Sequence, residues 1–198
     1  MIELMAVLAI MGLGIAALLQ TLVGGLYYAR DTENNIKAIN LAREGIEWVI
    51  NIRDTNWLRF SSDKVNCWKV DGYVATCIGN TSGPVIASWS YILYAKNGAW
   101  FLSWSTSSDP LTNWSNYKNN FAVWLDSGWF FTQTGVTSTA CSSWVQSSCR
   151  TIFTREIKIQ YSPTNTGSMQ VISTVNWLDK RPQQVTVDTI LTNWKSNF

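Results

Sequence analysis

Two kinds of residue in this chain could carry chemistry, and their spacing narrows what that chemistry is. Four cysteines fall as two local pairs, Cys67 with Cys77 and Cys141 with Cys149. Neither pair has the C-x-x-C spacing of a redox or zinc motif, and the chain has no histidine to complete a Cys2His2 site. The even count and local spacing predict two local disulfides made in an oxidising, extracytoplasmic compartment. Crossed connectivities stay open, and the competing reading is four buried free thiols in a reducing cell. The second residue is Glu3, an ionisable group at the head of an apolar run. From Leu4 to Ala29 the only strongly polar residues are Gln20 and Thr21. A charge in such surroundings costs several kcal/mol, about 2.5–3.5 for Asp at a helix centre. Glu3 therefore either stands exposed at a headgroup region or has a dedicated partner.

Catalysis has little to draw on. Without histidine the commonest general base and the commonest metal ligand are both missing. The best remaining case is a glycosidase-like carboxylate pair, Asp109 and Asp126, and nothing around them supports it. The expectation is that the chain is not an enzyme. A net charge of +2 with no Lys/Arg-rich run gives no sign of nucleic-acid binding. Twelve tryptophans set among Ser, Thr and Asn suggest a β-rich, extracellular kind of surface. These indoles serve either core and subunit packing or an exposed patch that stacks on sugars or another surface. Trp114, read as lying in a loop within Asn113-Trp114-Ser115, is the candidate for surface contact. That triplet and Asn80-Thr81-Ser82 also fit the glycosylation pattern.

The elements that position these residues follow from periodicity. Glu3 to about Ala29 is long enough to cross a bilayer as a helix, which takes about 20 apolar residues. It lacks the basic start and short apolar core of a cleaved signal peptide. Gly12 and Gly14 suit close helix packing, Gly12-x-x-x-Ala16 being a small-xxx-small spacing. Gly24 and Gly25 each lower helix propensity by about 1 kcal/mol and mark a place where the helix could melt. Helical spacing continues from Arg30 to about Thr55. Ile36, Ile39, Ala42, Ile46 and Val49 form one line, and Leu41, Gly45, Trp48 and Ile52 a second. They read as two faces with two things to pack against, or as one wide core-facing stripe. Residues 1–55 thus suggest one helix of about 80 Å.

From Asn56 the pattern turns to short alternating runs. Expected strands are Val85–Ala95, Ala99–Trp104, Ala122–Leu125, Trp129–Thr132, Thr151–Tyr161, Met169–Asp179 and Gln184–Trp194. Asn97-Gly98 suits a hairpin turn, and the last three strands form an antiparallel meander. Stretches 61–83 and 105–120 read as loops, and 133–150 as a loop closed by the second cysteine pair. The expected organisation is an apolar segment 1–29, an amphipathic helix 30–55 and a β-rich head 56–198.

The start MIELMAVLAIMGLGIAAL resembles the N-terminus of mature type IV pilins and pseudopilins. Their hallmark is an F-T-L-I-E-L-type start followed by an apolar helix with glycine in its first turns. Ile2-Glu3-Leu4-Met5 matches the I-E-L-M core, and Gly12 falls where the family carries glycine. LAREGIEWVINIRDTNW and VNWLDKRPQQVTVDTILTNW are further similar to prepilin-like proteins of very small, candidate-phylum bacteria. The resemblance implies an α+β lollipop, in which a long N-terminal helix packs on a C-terminal antiparallel sheet head.

It further implies a major pilin that sits in the inner membrane, then polymerises through its helix into an extracellular pilus for attachment or twitching motility. The alternative is a minor pilin or a type II secretion-like pseudopilin. The implied partners are copies of the chain, the inner-membrane assembly machinery, and a host or cell surface. N-terminal methylation belongs to the same pattern. Glu3 would be neutralised by an α-amino group, that of Met1 in its own or a neighbouring subunit, and so set the axial register. Pseudopilins tend to hold calcium in an acidic C-terminal loop, but Ser162–Ser168 has no acid, so no metal or cofactor is assigned.

Three departures from the family stand out. No leader precedes Met1, so the sequence reads as the mature form. The family's glutamate sits two places deeper than Glu3. The helix also lacks the proline the family often carries, for which Gly24-Gly25 offers a similar weakness. A membrane-anchored carbohydrate-binding module fits the composition but does not need the I-E-L-M start.

Overall fold

A computed structural model describes the chain except residues 1, 81–84, 97–98, 107–109, 111–112, 129, 134–139, 142–148, 162–166 and 195–198. The expectations for Met1, Asn97-Gly98, Asp109, Trp129 and most of the 133–150 and 162–168 loops therefore lie outside the described residues. Helix α1 runs Ile2–Arg59. The chain divides into two compact units, Met1–Lys37 and Ala38–Phe198. The class is α+β as expected, a long N-terminal helix with a C-terminal antiparallel sheet, an arrangement compatible with a pilin-like fold.

In the second unit the helical residues bury one stripe. Ala38, Leu41, Ala42, Ile46, Val49, Ile52 and Trp57 are all buried. Spaced mostly by three and four, these positions form the one wide core-facing stripe, the second of the two readings of the sequence. Ile39 is one residue, about 100° round the helix, from buried Ala38, and it stands exposed. The small residues in the stripe bring helix and sheet close: a Cβ on Gly45 would lie 2.6 Å from Ser173 Oγ. Beyond Arg59, Asp63 caps a short helix α2 (Lys64–Cys67) by accepting from the Asn66 amide at 3.0 Å, and a 3-10 turn follows at Ala75–Cys77. The 61–83 stretch read as a loop thus holds two short turns of helix, fixed by the cap and by the Cys67–Cys77 bond.

The sheet is built around one strand. β1 (Ser90–Lys96) and β2 (Ala99–Trp104) form a hairpin. Helix α3 (Trp114–Asn120) precedes β3 (Ala122–Leu125) and β4 (Phe131–Thr132). β5 (Cys149–Tyr161), β6 (Ser168–Leu178) and β7 (Pro182–Thr192) form the expected antiparallel meander. One edge of β5 is shared: its N-terminal half pairs β3 and its C-terminal half pairs β1. β6 takes the other edge. β1 begins at Ser90 rather than the expected Val85, because Val85 makes only an isolated bridge with Val70.

Period-two alternation assigns the two faces of β5. Phe153, Arg155, Ile157 and Ile159 are buried on the helix side. There Ile157 and Ile159 join Ile46, Val49, Ile52, Leu93, Met169 and Val171, while Phe153 joins Leu41, Val175 and Trp177. On the opposite face α3 meets Glu156. The Tyr117 hydroxyl donates to Glu156 Oε2 at 2.9 Å and accepts from Asn176 Nδ2 at 2.9 Å. Burial, and the Glu156 charge beside it, hold the Tyr117 hydroxyl far above the ordinary phenol range, so it stays a neutral donor.

Candidate functional site

The N-terminal unit, taken by itself, is a helix with an open apolar surface. Large hydrophobic side chains from Leu4 to Tyr28, among them Leu8, Ile15, Leu22 and Leu26, are exposed all round it. A helix apolar on every side needs lipid or other helices around it. By length and composition this one is able to cross a membrane. Glu3 stands exposed at its first turn. A Cβ added at Gly12, Gly14, Gly24 or Gly25 would meet nothing within 4 Å, so no contact within the chain uses their small size. The helix runs unbroken through Gly24 and Gly25. Met1, the other half of the expected registry pair, lies outside the described residues.

The head places the remaining candidates. The cysteines form the two local bonds expected, Cys67–Cys77 and Cys141–Cys149. Cys67 and Cys77 are fully buried with Phe60 and Val70, whereas Cys141 is exposed beside buried Cys149. Trp114 is not in a loop. It is the first residue of α3, half-buried, with its ring stacked at 6.2 Å on Tyr117. The reason is local: the Asn113 side chain caps the helix by accepting from the Asn116 amide. That cap occupies the side chain of the Asn113-Trp114-Ser115 triplet, and in Asn80-Thr81-Ser82 the second and third residues are outside the described ones. Asp126 is a turn residue, its carboxylate accepting from the Gly128 and Phe130 amides at 2.8 and 2.9 Å.

Comparison with family models, curated proteins and solved structures finds no match to the chain.

One feature of the head was not singled out in the sequence. Arg155 is fully buried in the core row of β5. Its Nη1 donates to Leu41 O at 3.3 Å and meets Glu44 Oε2 at 3.2 Å, while Nε donates to Gln133 Oε1 at 3.1 Å. Gln133, also buried, accepts from the Leu93 amide at 3.0 Å and donates to Arg155 O at 2.6 Å. Helix α1, β1 and β5 are thereby joined through two side chains. Burial pushes the guanidinium's pKa down and Glu44 opposes that. The knot ties the helix to the sheet at Leu41 and Glu44 and is structural rather than chemical.

Proposed function

We propose that the chain is the structural subunit, a major pilin, of an extracellular type IV pilus-like filament, and that it is not an enzyme. The observation that carries this reading is the apolar helix surface from Leu4 to Tyr28, exposed on all sides, with a single acid, Glu3, at its head. In a membrane lipid covers that surface; in a filament copies of the same helix must. Each buried large apolar side chain is worth about 1.5–3 kcal/mol against water, and less against lipid, so packing between copies must be close to compete. Gly12 and Gly14, open to solvent here, supply that closeness. Gly24 and Gly25 give the helix a place to stretch as it leaves the bilayer. Glu3 pairs with an α-amine in the dry core; such a pair adds little net stability but penalises wrong registers strongly.

Before assembly the chain resides in the inner membrane and meets the assembly machinery there. The test is electron microscopy of sheared cell-surface material with mass spectrometry of the filament and its N-terminus. The chain is expected as the bulk polymer. Trace abundance would move it to the minor-pilin or pseudopilin role, and a filament whose subunit keeps an unprocessed N-terminus would sink the family assignment.

A further inference from the structure

Among the described tryptophans, Trp89 and Trp104 are the most exposed, 63% and 70%. They sit together in the head: Trp104 pairs Tyr91 across the β1–β2 ladder, and Trp89 lies two residues before Tyr91. Cross-strand pairing puts Trp104 on the Tyr91 side of the hairpin, and Trp89 stands in the bend just before β1. They also line two adjoining hollows in common. One, of about 510 Å³, is floored by Ile86, Tyr91 and Leu102 with the Asp71 carboxylate at its edge. The other, of about 340 Å³, is edged by Ser88, Ser105, Thr106 and Lys158. Both volumes are in the range of small-ligand pockets.

We propose that Trp89 and Trp104 are the stacking platforms of an oligosaccharide-binding site that takes at least two sugar rings, one over each hollow. Indole faces are apolar and electron-rich and suit the C–H faces of a sugar ring. The rim supplies what ring hydroxyls need: Asp71 as a charged acceptor on one side, Lys158 and three hydroxyls on the other. Asp71 is held in place by the Leu102 amide, which donates to it at 3.3 Å. Partly withdrawn from water, it makes a stronger acceptor than a free surface carboxylate.

A peptide adding as an extra strand is disfavoured here, because outward groups of the edge strand β2 are already used: the Leu102 amide donates to Asp71 and the Trp100 carbonyl accepts from the Tyr73 hydroxyl. The Trp89 carbonyl accepts from the Ile159 amide and the Ser90 carbonyl from the Ser105 amide. A plain apolar docking face does not fit either, since it has no use for an acid, an amine and three hydroxyls around the rings. The site lies wholly in the head and stands whether or not the chain polymerises.

The test is isothermal titration of the full chain in lauryldimethylamine oxide micelles, a detergent without a sugar headgroup. The probes are cellotetraose, chitotetraose, maltotetraose and mannotetraose, with a proline-rich decapeptide as the competing class. At least one tetrasaccharide is expected to bind. Trp89→Ala and Trp104→Ala should each weaken it about tenfold or more, as for a central aromatic contact. Trp104→Phe should keep part of the affinity, guarding against a folding defect, and Asp71→Asn should weaken binding less than either alanine change. Trp194→Ala, another exposed indole outside the hollows, should leave it unchanged. Absence of binding by all four sugars, binding that survives both alanine variants, or saturable binding of the decapeptide alone would each overturn the proposal.

Discussion

Glu44 Oε2 lies 3.2 Å from Nη1 of the fully buried Arg155, so the charge in the core row of β5 is answered from helix α1. Removing the partner of a buried charge costs about 3–5 kcal/mol. The Glu44 side chain is itself 31% exposed, and water screens part of the pair. Glu44→Ala is therefore expected to lower stability by about 1–3 kcal/mol, and Glu44→Gln, which keeps an acceptor, by less. Denaturant unfolding of the full chain in micelles measures both. An unchanged midpoint for Glu44→Ala would show that water or Gln133 already satisfies the guanidinium.

Gly45 tests the closeness of helix and sheet. In an open helix Gly→Ala stabilises by about 1 kcal/mol through propensity. Here the new Cβ would lie 2.6 Å from Ser173 Oγ and 3.3 Å from Arg155 Cδ. Overpacking of this kind costs about 1–3 kcal/mol, so Gly45→Ala is expected to destabilise despite the propensity gain. Ser173 Oγ is buried with no hydrogen-bond partner among the described residues. Adding Ser173→Ala should then recover most of the loss. A double-mutant cycle measures this coupling; strictly additive effects would contradict the contact.

The two disulfides should respond differently to reductant. Each closes a short loop, with sequence separations of 10 and 8, and each should contribute about 2–3 kcal/mol on the loop-entropy account. Access separates them. Cys67 and Cys77 are fully buried, while Cys141 is exposed. Thiol labelling under mild reductant in native conditions is expected to mark Cys141 and Cys149 first and to reach Cys67 and Cys77 only with denaturant. Equal labelling rates would mean that the Phe60–Val70 cluster opens readily.

Much of the head could be read from residue patterns. β5 to β7 alternate strongly enough that their pairing as a meander was legible, and so was the local pairing of the cysteines. The helix stripe was legible as either two lines or one wide face, and only the sheet decides for the one face and leaves Ile39 outside. Alternation did carry a signal for Arg155, which shares its side of β5 with Phe153, Ile157 and Ile159. An arginine in an apolar row asks for a partner, and Glu44 stands beside Gly45 in the stripe. Helix α3 was not legible, because Trp-Ser-Asn-Tyr-Lys-Asn-Asn has weak helix formers and is held by its cap and by Tyr117 on the sheet. Exposure of single tryptophans was not legible either. Trp114 and Trp104 both sit among small polar residues, and only tertiary packing half-covers the first and bares the second.

Asp63 gives an acid-sensitive brace for the first disulfide loop. Its carboxylate accepts from Asn66 Nδ2 at 2.8 Å, from the Asn66 amide at 3.0 Å and from the Gly79 amide at 2.7 Å. Gly79 has φ +68°, a conformation that suits glycine, just past Cys77. These bonds, the Asn66 side chain first, hold the Asp63 pKa below its ordinary 3.8. The native state thus binds the proton less tightly than the unfolded chain. The stabilisation is full above pH 3.8 and is lost as pH falls through the lower native value. Asp63→Asn is expected to melt below wild type at pH 5, with the gap closing as pH drops below that window. A gap independent of pH would assign the effect to shape rather than charge.

Glu3 decides whether the apolar helix is an anchor or a filament core. An anchor tolerates loss of an acid at its end and gains insertion energy from it, since charged groups are costly near lipid. A filament core that uses the acid to fix register loses its specificity instead. Glu3→Ala is therefore expected to leave membrane insertion and the thermal unfolding of the head unchanged while abolishing or disordering filaments. Glu3→Gln should do the same, because it keeps the hydrogen-bonding shape but removes the charge that an α-amine would answer. Membrane fractionation, unfolding of the purified chain and electron microscopy of sheared material separate these effects. Normal filaments from Glu3→Ala would refute the registry role and show that the helix packs into a filament core without the acid. Filaments normal with Gln but not with Ala would replace the ion pair by a neutral hydrogen bond.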